Sequence, residues 1–337
     1  APSRIVDLSR TLHDLRLVKD EAAILSMRRS CAVTVEAHAL AMRACMAGKR
    51  EYELEALVDY GFRRRNGLPG YQSIIGSGKN ATILHYVDGR DELVAGQVLL
   101  VDAGCELDGF TGDVTRSYPI PAPSCKPAFS RTQRLLYDLV LDTQLAAIAM
   151  VKPFVTIEEI HAQISRRLAS GLCAMGLLSG DPASAIESGA LKRFFPHRSS
   201  HFLGLDVHDV GRYFPEGEPQ RLLPGMVFTI EPGLYVQPGD PLGPDALLDP
   251  MPRLWPGGFP NSTSARTTRV ASRPARDSFI RRPVSPPNSK PPAAVPPPPP
   301  NPSPRRKPPR PRPRPQICRS PKPIRALSRC FSGSATA

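Results

Sequence analysis

Apolar positions recur at helical spacing from about Lys19 to Met46, where Ala22, Ile24, Leu25 and Met27 are followed by Val33, Val35, Ala37, Leu40 and Ala41. This predicts one long amphipathic helix or a broken pair, ended by Gly48. Glu51 to Arg65 predicts another helix, stopped by the turn signal Asn66-Gly67. From Tyr71 to Tyr118 the pattern shortens into apolar runs cut by Gly and Asp: YQSIIGSG, ATILHY, QVLLVDAG and GFTGDVTRSYPI. These predict strands in an antiparallel meander. Two further helices are expected near Arg131 to Val151 and Thr156 to Met175, separated at Pro153, before FFPHRSSHFLGLDVHDVG and GMVFTIEPGLYV return to strand and loop character. The expected body is α+β, with helices flanking a largely antiparallel sheet.

Composition divides the chain unevenly. Residues 251–337 carry 18 Lys and Arg against one acid, Asp277, and hold 23 of the 40 prolines. Such a stretch cannot bury enough apolar surface to offset its ordering entropy, so a disordered basic, Pro-rich tail is expected there. The formal charge of +13 belongs to that tail, because the first 250 residues are slightly acidic. The expected organisation is a connector remnant over 1–18, a folded domain over 19–250 and the tail over 251–337. Neither a membrane-spanning apolar run nor a charged-then-apolar leader is visible. Seven scattered cysteines without CxxC spacing argue against a zinc ribbon or disulfide framework and for a reducing, cytoplasmic setting. The chain begins at Ala1, and a fragment is expected.

The chemistry concentrates in VLLVDAGCELDGFTGDVTRSY. If the chain reverses around residues 107 and 108, Asp102 falls directly opposite Asp113, the two Cβ atoms about 4.5 to 5.5 Å apart. Like charges that close repel unless a cation lies between them. Either aspartate alone would read as a turn residue; the two together do not. His197, His201 and His208 bring three of the seven histidines into one short segment, and Glu231 emerges from the apolar run VFTI just before Pro-Gly. Asp, Asp, His and Glu form an oxygen-rich donor set with one imidazole, suited to Mn²⁺, Co²⁺ or Zn²⁺. Carboxylates able to bridge suggest two metals about 3.5 to 4 Å apart.

The ordered series GSGKNATILHY, VDAGCELDGFTGDVTR, HFLGLDVHDVG and TIEPGLY resembles the pita-bread metallopeptidases, within them the proline-specific branch of Xaa-Pro aminopeptidase and Xaa-Pro dipeptidase (prolidase). The resemblance runs from about Lys19 to Val236. It implies a pita-bread fold and metal ligands at Asp102, Asp113, His201 and Glu231. It further implies catalytic roles for His85, His208 and Glu231, and substrate contacts at His197 and Tyr235. Two divalent ions, Mn²⁺ foremost, and peptides with proline second are the implied cofactors and partners. The branch also admits homo-oligomers.

The resemblance fails at one place. The family's fifth ligand is a glutamate on a late strand, in a motif resembling G-I-R-I-E-D-D, whereas here the corresponding window reads MPRLWPGG and no glutamate follows Glu231. The bridging ligand and the arginine before it are absent, as a shifted reading frame would produce. With four ligands, one Mn²⁺-like ion is expected to bind tightly, with little or no Xaa-Pro cleavage. The competing expectations are a prolidase and a non-catalytic binding protein of the same fold. The Arg-Pro run PRRKPPRPRPRP could contact nucleic acid non-specifically or present PxxP, but a solvated tail is the expected state.

Overall fold

The structure, a computed structural model, describes residues 6–237. The tail over 251–337, the MPRLWPGG window and the last stretch of the expected 19–250 domain lie outside the described residues. Three helices open the fold: α1 (Ser9–Leu17), α2 (Glu21–Ala44) and α3 (Glu51–Arg63). The long apolar pattern is thus one unbroken helix. Asp20 caps it by accepting from the Ala23 N–H at 2.8 Å.

Six strands follow, β1 (Leu68–Pro69), β2 (Ile74–Ser77), β3 (Val98–Ala103), β4 (Cys105–Leu107), β5 (Phe110–Thr111) and β6 (Val114–Pro119). They form two antiparallel sheets, ordered β1-β4-β5 and β2-β3-β6, and not the single meander expected. ATILHY is no strand either. Its first residues end a 3-10 helix, Gly78–Thr82, and the remainder turns through His85 in left-handed backbone, φ 55°. Here hydrogen bonds to a neighbouring helix override β propensity.

The long hairpin from β3 to β6 holds one register throughout, Asp102 facing Thr115 and Leu107 facing Phe110. It reverses at Asp108-Gly109, whose φ values of 55° and 81° are those of a type I′ turn. The expected reversal at 107 and 108 was therefore misplaced, and Asp113 is not directly opposite Asp102. It lies two positions along from the facing residue, so the period-two alternation keeps both carboxylates on one face. The hairpin breaks at Gly104, where an added Cβ would fall 1.9 Å from the Gly112 carbonyl oxygen and 2.7 Å from the Tyr71 ring. Only glycine permits that approach.

The second half supplies α4 (Arg131–Met150), α5 (Ile157–Ala174) and α6 (Pro182–Glu187). Capping boxes at Ser130 and Thr156 start the two long helices. Among the described residues, the segments after α6 form no strand of several residues. Their pairing is irregular but in register: Leu203 N–H donates to Val227, Thr229 N–H to His201 and Glu231 N–H to Ser199, at 3.0, 2.9 and 3.0 Å.

Two apolar clusters support the halves. One joins Val33, Ala37, Leu54, Val58 and Phe62 of α2 and α3 to Leu99, Val101 and Ala103 of β3. The other joins Ile160, Ile164 and Leu168 of α5 to Phe194, Phe202 and Ile230. Each fully buried side chain of this size contributes about 1.5 to 3 kcal/mol. Along β3 the alternate residues Leu100 and Asp102 turn away from the first cluster, which places Asp102 at the boundary between the two halves. Among the described residues no helix is long and apolar enough to cross a membrane.

Candidate functional site

Asp102 leaves the face of β3 that is not buried in the core, and Asp113 leaves the irregular link before β6. The Tyr71 hydroxyl joins them, 2.6 Å from Asp102 Oδ1 and 3.0 Å from Asp113 Oδ1. A phenol has one proton to donate, so it satisfies one carboxylate at a time. The other needs a proton or a cation. Asp102 accordingly has its pKa pushed up, by burial first and then by the charge of Asp113. The Tyr71 hydroxyl is pushed well above the usual phenol range, by burial and then by the two aspartates.

His201 and Glu231 come from the paired segments of the second half. The His201 ring places Nδ1 3.0 Å from the Phe202 carbonyl; a carbonyl only accepts, so Nδ1 carries the proton. Nε2 then faces Asp113 Oδ2 at 3.1 Å and Glu231 Oε1 at 3.4 Å. A lone pair aimed at two carboxylates is repulsive unless a proton or metal cation occupies the gap. Burial depresses the charged ring, but the Asp113 and Glu231 carboxylates outweigh it and the His201 pKa rises. Burial pushes the Glu231 carboxyl up to about 7, against the opposing charge of His201. Thr229 steadies the pair, donating to Glu231 Oε1 at 2.9 Å and accepting the His201 N–H at 3.0 Å.

As they stand, no three His, Cys, Asp or Glu side chains among the described residues enclose a common point at metal spacing. The carboxylates close on Tyr71 and His201 instead. The donor set nonetheless fits a divalent cation: three carboxylates and an imidazole nitrogen that faces two of them must share protons or a cation between them.

The remaining expected residues surround this cluster. The His208 ring lies 4.4 Å from that of His201, edge to face, and its pKa is lowered by burial and then by the charges of His201 and, more weakly, His85. His85 is exposed on its turn, near enough for its charge to reach His208. His197 packs edge-on against Tyr235 at 5.4 Å and Phe195 at 5.0 Å. Its Nδ1 is 2.7 Å from the Arg198 carbonyl, leaving Nε2 a buried acceptor with no partner among the described residues. Burial lowers the His197 pKa and raises that of the Tyr235 hydroxyl.

Sequence reasoning missed the supporting residues. Tyr71 and Thr229 carry only a weak signal, a hydroxyl near a motif carboxylate. Asp209 follows His208 and is buried against Lys19, Oδ2 to Nζ 2.9 Å, with Arg16 on its other oxygen. Burial lowers the Lys19 pKa, with Asp209 opposing. This pair fixes the loop bearing His208 to the end of α1, across 190 residues of sequence.

Comparison with known proteins places these features in a family context. The profile of Metallopeptidase family M24 matches residues 26–264. The chain is 40% identical over 239 residues to the Xaa-Pro aminopeptidase of Escherichia coli (strain K12), covering 71% of this chain and 53% of that protein. It is 38% identical over 236 residues to that of Haemophilus influenzae, covering 69% and 53%. A solved E. coli aminopeptidase P variant in complex with substrate superposes with a TM-score of 0.68 at 39% identity, covering 71% of this chain and 53% of that one. Proline aminopeptidase P II from Yersinia pestis gives a TM-score of 0.68 at 38% identity, covering 71% and 54%. The pita-bread fold is thereby established, and the chain spans about half the length of the relatives it matches.

Proposed function

Because the chain belongs to metallopeptidase family M24, we propose that its described residues form the catalytic part of a metal-dependent aminopeptidase that cleaves the bond between an N-terminal residue and a following proline. The observation that carries this reading is the cluster itself. Tyr71 holds Asp102 and Asp113 side by side, while His201 turns a lone pair toward Asp113 and Glu231. Asp102, Asp113, His201 and Glu231 would hold divalent metal, Mn²⁺ foremost. When bound, the metal supplies Lewis acidity to the scissile carbonyl and acidifies the attacking water.

The chain's own groups do the rest. An amide before proline has a tertiary nitrogen and no N–H for recognition, so the ring must be held by shape. His197 and Tyr235, packed edge to face, form the aromatic wall suited to it, and His197 Nε2 offers an acceptor to a substrate N–H. Glu231, held by Thr229, takes the proton of the attacking water and returns it to the proline nitrogen as the bond breaks. His208 and His85 donate to the oxygen that gains charge. A reducing compartment accompanies this reading, since the five described cysteines are all unpaired thiols.

No glutamate follows Glu231, and this favours a reduced form of the activity: one ion loaded tightly, with slow cleavage. The test is Mn²⁺ titration by calorimetry, with hydrolysis of a tripeptide carrying proline second. One tight site and slow release of the first residue support the reading. Absence of metal binding overturns it. Two tight sites with turnover near that of a five-ligand relative overturn the reduced form.

A further inference from the structure

Glu51 is the first residue of α3 and its side chain is wholly buried. Five hydrogen bonds are donated to its carboxylate. Oε1 accepts from Ser77 N at 2.7 Å, Ser77 Oγ at 2.9 Å and Asn80 Nδ2 at 3.2 Å. Oε2 accepts from the Tyr86 hydroxyl at 2.8 Å and Asp91 N at 3.1 Å. Ser77, Asn80 and Tyr86 all lie in the motif segment GSGKNATILHY, and Asp91 follows it, so one carboxylate gathers both ends of the excursion that carries His85. The backbone repeats the clamp: Glu51 N–H donates to Asp91 and Tyr52 N–H to Gly89.

His85 itself is poorly held. It is exposed, adopts φ 55°, and sits between exposed Leu84 and buried Tyr86. A non-glycine residue in left-handed backbone persists only when its surroundings fix it. The nearest fixed point is the next residue, Tyr86, whose hydroxyl ends on Glu51 and also accepts from Asn80 Nδ2 at 2.9 Å. The geometry points to Glu51 as the positioning residue for His85: the buried carboxylate sets where the exposed imidazole stands relative to His208, and so acts on the reaction without touching substrate. The inference rests on the peptidase reading above for its catalytic consequence, and on the hydrogen bonds alone for its structural one.

In Glu51→Gln the new amide N–H₂ must face donors, the Asp91 N–H or the Ser77 pair, and the clamp opens. The experiment follows the histidine C2–H lines of the full chain by proton NMR, with His85 identified as the line lost in His85→Ala. In Glu51→Gln the His85 line moves onto that of a freely turning exposed imidazole and the His208 line moves with it. The line of His38, buried against Tyr118 and Ala103, stays in place, and Glu51→Asp restores part of the shift. Unmoved His85 and His208 lines overturn the proposal. Should Glu51→Gln lose its fold, so that the His38 line collapses as well, Tyr86→Phe decides. A shift of His85 without His38 supports the clamp, and no shift of either overturns it. With enzyme in excess over a proline-second tripeptide and Mn²⁺ present, Glu51→Gln lowers the cleavage rate constant about 10- to 100-fold. Half-saturation stays within about twofold, and adding the change to His85→Ala costs nothing more. Additive losses overturn the coupling. A parent that neither binds Mn²⁺ nor cleaves overturns the peptidase reading instead, and the imidazole lines still decide the positioning.

Discussion

His201 Nε2 lies 3.1 Å from Asp113 Oδ2, and the contact is directed from the other side of the ring, where the Phe202 carbonyl keeps the proton on Nδ1. The two residues are 88 positions apart and come from different halves of the fold. Without a cation or proton between them they repel. Asp113→Asn therefore removes the anionic partner while preserving shape. Mn²⁺ affinity should fall by more than about 100-fold, with the thermal midpoint of the metal-free chain unchanged or raised. Metal content by mass spectrometry and a melting curve check both. Equal metal content in variant and parent would contradict the assigned role.

Tyr71 touches both aspartates and nothing in the reaction. Tyr71→Phe keeps the ring against Gly104 and removes the shared proton, so both carboxylates lose their orienting donor. A loss of metal affinity of about 10- to 100-fold is expected, smaller than for Asp113→Asn. Isothermal titration with Mn²⁺ measures it, and an unchanged constant would show that the hydroxyl orients neither ligand.

His38 sets a pH limit on the fold. It is buried, with Nδ1 3.0 Å from the Tyr118 hydroxyl and Nε2 3.3 Å from the Ala103 carbonyl, and burial pushes its pKa down to about 4. The unfolded chain takes up this proton near pH 6.5 and the folded chain only near 4, so the contribution is complete above 6.5 and lost as pH falls between those values. The loss amounts to about 3 kcal/mol. Urea unfolding at pH 7 and pH 4.5 should reveal it. In His38→Gln this component of the pH dependence should disappear; an unaltered slope would refute it.

The Lys19–Asp209 pair is nearly inaccessible, with side chains 3% and 1% exposed. Asp209→Ala leaves the Lys19 ammonium buried beside Arg16 with no counter-ion, and should cost about 3 to 5 kcal/mol. Chemical denaturation measures it. Pairing the change with Lys19→Met should recover part of the loss, because the stranded charge goes too. If the single change costs less than about 1 kcal/mol, the pair is not what fixes the His208 loop.

The helices were legible in the sequence because their signals are local. Apolar spacing, the caps Asp20, Ser130 and Thr156, and stops such as Gly48 act within a few residues, and α2 to α5 fall where they predict. The motif segments were legible too, while the roles of their carboxylates and histidines are those proposed above. Their family resemblance carried the fold. Tertiary structure alone decided the rest. Asp108-Gly109 was in plain sight, but only the paired strands showed that the reversal centres there and not on residues 107 and 108, which moves Asp113 two places from the position facing Asp102 without changing its face. ATILHY reads as strand by composition, and a buried carboxylate far away in sequence, Glu51, holds the segment in another conformation. Tyr71 and Asp209 gain meaning only from partners 31 to 193 residues distant, and Thr229 from one 28 residues away as well as from nearby Glu231. A single sequence registers the chemistry a residue can offer, whereas long-range burial determines which groups lose water together and must satisfy one another.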